Sequence, residues 1–177
     1  DAARVGLVLS VGPLVVALTA VPAGRIADRC GAQRLTAVGL LGMAAGSAML
    51  SLLPATLGIP GYVAPIVVVT AGYALFQTAN NTAVMADVGP DQRGVISGML
   101  NLSRNLGLVT GASVMGAVFA FASTTVDVTA AHPDAVATGM RVTFAVATAL
   151  LVVALAIVAA AHRHAARPRK LAPQAVS

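Results

Sequence analysis

Between Tyr62 and Met85 the polar side chains Thr70, Tyr73, Gln77, Asn80 and Asn81 recur at intervals of one to four residues inside an otherwise apolar run. On a helix turning 100° per residue they share one arc with Val84. Their chemistry is hydrogen bonding: carboxamides, a phenol and a hydroxyl can hold a polar solute or one another. A second group follows in NLSRNLG, where Asn101 and Arg104 stand ten residues or fewer beyond Gly94 on an apolar segment. At about 1.5 Å per residue, Arg104 lies roughly 15 Å along that helix. Holding an arginine at such depth in hydrocarbon costs at least about 2.5 kcal/mol, so something must satisfy it.

The composition explains why hydrocarbon is the relevant medium. Charged residues make up 10% of the 177-residue chain and hydrophobic residues 58%, with a mean hydropathy of +0.87, whereas a soluble domain carries about 25% charged residues. Because every backbone N–H and C=O must be paired in lipid, the apolar stretches read as membrane helices of about 20 residues each. Five segments meet that length, at about 5–23, 35–54, 62–85, 94–122 and 142–161, followed by a basic tail at 162–177. The uncharged run from Leu35 to Ala86 divides at PATLGIPG, where two prolines and two glycines predict a turn. Nothing alternates with period two over the lengths that a membrane barrel uses. The expected fold class is all-α, a polytopic membrane helix bundle.

The helices at 35–54 and 142–161 consist mostly of Ala, Val, Leu, Gly and Met and suit lipid-facing positions. The amide-bearing face calls for either a hydrated cavity or interhelical hydrogen bonds. For Arg104 the corresponding alternatives are a place beside a passage and a snorkelling position satisfied by backbone oxygens. No apolar segment holds an Asp or Glu to pair with it. Gly94, Gly98 and Gly116 share a stripe with Asn101 and Asn105, and Gly107 and Gly111 repeat small-xxx-small spacing on a neighbouring one. Such spacing lets another helix approach closely.

The basic residues set orientation. Arg25, Arg29, Arg34, Arg93, Arg163, Arg167, Arg169 and Lys170 fall on one set of loops and ends, against Arg4 and Arg141 on the other. Basic flanks stay cytoplasmic, which predicts a cytoplasmic C-terminus and an association with membrane lipid rather than nucleic acid. The single cysteine, Cys30, excludes an internal disulfide. His162 and His164 lack a third ligand, so no metal or cofactor is expected. Without a Ser/His pair, a carboxylate pair or a metal cluster in the spans, an enzyme is not expected either.

The stretch GRIADRCGAQR, with Gly24, Asp28, Arg29, Gly31 and Arg34, resembles the GxxxDRxGxR cytoplasmic loop signature of the major facilitator superfamily, in its C-terminal-half copy. The segment from PDQRGVISG through NLSRNLG is similar to the penultimate helix of the superfamily's 14-helix drug:proton antiporters. The resemblance implies the last five helices of a multidrug efflux transporter in a bacterial inner membrane, exporting amphipathic or cationic drugs by alternating access. It also implies that Asp28 helps lock a cytoplasmic gate, that the third span lines the substrate cavity, and that the N-terminal half of the same transporter is a partner. The antiporter signature of the N-terminal half is absent, and Gly12 with Pro13 does not reproduce it. With no carboxylate in a span, the proton carrier is expected upstream of Asp1, which reads as an interior point of a longer chain. A metabolite importer and a non-transporting membrane scaffold remain open alternatives.

Overall fold

The computed structural model describes residues 14–19, 22, 24–26, 29, 31–53, 58–123 and 133–165. Four helices carry the architecture: α1, Ala32–Leu52; α2, Gly58–Met85; α3, Arg93–Ser123; and α4, Pro133–Ala165. Among the described residues there is no strand, and each of these helices is long and apolar enough to cross a membrane. The chain is an all-helical polytopic bundle. Of the span expected at 5–23, residues 14–19 and 22 are described and are helical; residues 5–13, 20, 21 and 23 lie outside the described set.

Local chemistry sets the ends. Gly31 precedes α1 with φ of 85°, a left-handed conformation that a Cβ disfavours, and its carbonyl accepts the first bond of the helix from the Leu35 amide at 3.3 Å. α1 begins three residues before the expected position at 35, because Ala32, Gln33 and Arg34 follow that turn directly into helix. Residues Gly58–Gly61, expected in a turn, form the first turn of α2 instead. Pro60 is tolerated there because the first amides of a helix have no partner to lose. α4 starts at Pro133 rather than near 142; proline at the first position and Asp134 against the helix dipole both favour that start. At its other end α4 continues to Ala165, so the opening residues of the expected tail are helical.

The helices form an arc in which α1 packs against both α2 and α4, and α3 packs on α4. Glycine makes the α1–α2 contact possible. A Cβ on Gly39 would lie 2.6 Å from the Phe76 nitrogen, and one on Gly72 would lie 2.8 Å from both the Gly39 oxygen and the Met43 nitrogen. Two turns beyond Gly39, a Cβ on Gly46 would meet the Pro65 oxygen at 2.9 Å. Position 39 thus faces 72–76 and position 46 faces 65–69, an antiparallel pair. Around this seam Leu35, Leu40, Leu50, Ala74 and Ala79 are buried. On the other side, the Ser51 hydroxyl donates to the Arg141 carbonyl at 3.0 Å, joining the end of α1 to the early part of α4. Gly139 sits under the Phe119 ring and Ser123, closing the α3–α4 hairpin.

That connectivity sorts the bundle into two ends. Arg34, the α2–α3 turn with Arg93, and Arg163 lie at one; Ser51, Ser123 and Arg141 lie at the other.

Candidate functional site

α2 and α3 are joined by the short 3₁₀ turn Pro90–Gln92, held in part by the Arg93 Nε donating to the Val88 carbonyl at 3.5 Å. Beyond the turn the two helices diverge, and a cavity of about 510 Å³ opens between them. Its α2 wall carries Tyr73, Phe76, Gln77, Asn80, Asn81 and Met85; its α3 wall carries Ser97, Leu100, Asn101, Ser103 and Arg104. The volume falls in the range of about 300–1,000 Å³ usual for small-molecule sites.

Helical periodicity places each group. Tyr73, Gln77, Asn80 and Asn81 occupy successive turns of α2, and Ser97, Asn101 and Arg104 do the same on α3. Tyr73, Phe76, Gln77 and Asn80 are half-buried, while Asn81, Asn101 and Arg104 are exposed on this chain. The Asn105 amide reaches the Asn101 side-chain oxygen at 3.5 Å. Among the described residues, Arg104 has neither a hydrogen-bond partner nor an ion-pair partner, and no buried side-chain polar atom is left unsatisfied.

Six of the residues singled out in the sequence therefore stand together: Tyr73, Gln77, Asn80, Asn81, Asn101 and Arg104. Thr70 stands apart from them. Its hydroxyl donates to the Ile66 carbonyl at 2.7 Å, the i−4 back-bond by which helical threonines satisfy themselves. Phe76, Met85, Ser97, Leu100 and Ser103 join the lining without having been singled out. For Ser97 the signal was present, since it precedes Asn101 and Arg104 at helical spacing.

The α3 glycines do not make the close approach expected of them within these helices. A Cβ on Gly94, Gly98, Gly107, Gly111 or Gly116 would meet nothing within 4 Å. The reason is geometric: α3 packs on α4 through Phe119 and Ser123 near its C-terminal end, and leaves these positions open. The close seam lies at Gly39, Gly46 and Gly72 instead. In the loop signature, Gly24, Arg29, Gly31 and Arg34 are described, and Arg29 and Arg34 are exposed. Asp28 lies outside the described residues, as do Cys30 and the tail beyond 165.

A profile of the Major Facilitator Superfamily matches residues 1–176. The chain belongs to this superfamily of transporters. Among its relatives, an uncharacterized transporter, YebQ, of Escherichia coli (strain K12) is 37% identical over 110 residues, covering 62% of this chain and 24% of the relative. The riboflavin transporter RibZ of Clostridioides difficile (strain 630) is 29% identical over 115 residues, 65% of this chain and 25% of the relative. The multidrug efflux pump LfrA of Mycolicibacterium smegmatis (strain ATCC 700084 / mc(2)155) is 30% identical over 126 residues, 71% of this chain and 25% of the relative. The matched region thus amounts to about a quarter of the length of each of these relatives. No solved structure matches the chain.

Proposed function

We infer that the chain is the C-terminal portion of a secondary active transporter that exports drugs or other amphipathic small molecules by alternating access coupled to protons. The observation that carries this reading is the cavity between α2 and α3, whose walls mix aromatic and aliphatic surface with amides, hydroxyls and a guanidinium. An amphipathic solute matches both kinds of surface, and alternating-access carriers bind cargo in cavities lined by helices. The likeness to a multidrug efflux pump supports the export of drugs. The likeness to a riboflavin transporter supports a second reading, transport of a metabolite through the same cavity. The gathering of Arg34, Arg93 and Arg163 at one end supports a cytoplasmic position for that end and for the C-terminus in a bacterial inner membrane. The cycle draws on further helices of the same protein, because two halves must rock about the site.

In the intact transporter, Asn81→Ala should lower export about threefold to tenfold and Arg104→Ala at least about tenfold, as expected for lost neutral and charge-assisted hydrogen bonds to cargo. Membrane insertion should be unchanged, since both side chains are exposed on this chain. Efflux of a fluorescent substrate from energised cells, scaled to the amount of inserted protein, reads the effect. Normal export by both variants would leave the cavity without a transport role.

A further inference from the structure

The walls of the cavity carry one formal charge. Arg104 lines it, and no Asp or Glu does. The acidic residues closest in sequence, Asp87 and Asp91, stand exposed in the α2–α3 turn, outside the lining. A guanidinium offers five N–H donors in a fixed fork, accepts nothing and stays protonated. Those donors are unspent on the described residues, whereas hydroxyls elsewhere in the helices, such as those of Thr70 and Thr148, are bound to their own backbones. Across the cavity from Arg104 the α2 wall presents the rings of Tyr73 and Phe76.

We propose, building on the transport reading above, that Arg104 makes this cavity select aromatic solutes bearing an anionic group, a carboxylate, phenolate or sulfonate, and disfavour organic cations. A planar anion can lie against Tyr73 and Phe76 while its acid group takes two parallel hydrogen bonds from the guanidinium. A cationic solute of the same shape meets an uncompensated positive charge on these walls and finds no carboxylate to offset it. The amides of Gln77, Asn80 and Asn81 serve either solute, so they set affinity without setting the sign of the preferred charge.

The test uses two xanthene dyes that share a ring system and differ in charge, anionic fluorescein and cationic rhodamine methyl ester, with binding to the purified intact transporter read by fluorescence polarisation. The wild-type protein should bind fluorescein more tightly. Arg104→Gln should weaken fluorescein at least about tenfold, the scale of a charge-assisted pair, and leave the rhodamine ester unchanged or tighter, while Arg104→Lys keeps most of the preference. Tighter binding of the rhodamine ester by the wild type, or equal weakening of both dyes by Arg104→Gln, overturns the charge selection; if Asn81→Ala still weakens either dye, the cavity reading survives. Binding of neither dye, or binding indifferent to both Asn81→Ala and Arg104→Gln, overturns the selection and the cavity reading together.

Discussion

At the scale of single residues, the chemistry was readable wherever type and period coincided. Gln77, Asn80 and Asn81 stand out because carboxamides are costly in hydrocarbon and recur on one arc, and Arg104 because nothing in its helix pairs with it. Ser97 and Ser103 escaped notice because serine hydroxyls commonly satisfy themselves on a helix, as Ser113 does on the Val109 carbonyl at 2.9 Å. Thr70 erred the other way, a polar residue in phase whose hydroxyl is already bound to Ile66. Gly31 offers a prediction at this scale. With φ of 85° and nothing within 4 Å of an added Cβ, Gly31→Ala meets no neighbour and pays only for its backbone conformation. We expect a loss of about 1–2 kcal/mol, seen as a lower thermal midpoint of the detergent-solubilised transporter; an unchanged midpoint would mean that this turn adopts another conformation in the intact protein.

Helices were more legible than their ends. Apolar length alone pointed to four long helices where α1 to α4 stand, since hydrocarbon admits few other structures. Turn residues misled at Gly58–Gly61, because proline and glycine in a first helical turn look like proline and glycine in a loop. The start of α4 was hidden by Arg141, a charge inside a helix that extends past the apolar window. The packing seam could not be assigned from spacing, because α1 and α3 both carry glycine pairs four residues apart and only three-dimensional approach distinguishes them. A substitution tests the assignment. Gly72→Ala places a carbon 2.8 Å from the Gly39 oxygen and the Met43 nitrogen, both backbone atoms that cannot swing aside. It should cost about 1–3 kcal/mol, whereas Gly89→Ala, with nothing within 4 Å, should be close to neutral. Comparing thermal aggregation midpoints of the two variants reads the difference; equal midpoints would remove the seam from the α1–α2 contact.

For the molecule as a whole, the arrangement of α1 to α4 leaves much apolar surface exposed, with Val109 at 66% and Ile157 at 64% among the larger side chains. Such surface is stable only against lipid or further helices, which agrees with a match to about a quarter of each relative. What the sequence could not disclose is which exposed face meets lipid and which meets the rest of the transporter, because both media are apolar. The central claim is that the face of α3 bearing Asn101 and Arg104 borders water. Thiol labelling tests it most directly, since impermeant methanethiosulfonates react with the thiolate, which forms in water and not in hydrocarbon. In an intact transporter with Cys30→Ser, we predict that Asn101→Cys reacts readily and is protected by cargo, while Val153→Cys, exposed on α4 and away from the cavity, stays inert. An Asn101→Cys variant as unreactive as Val153→Cys would contradict the account.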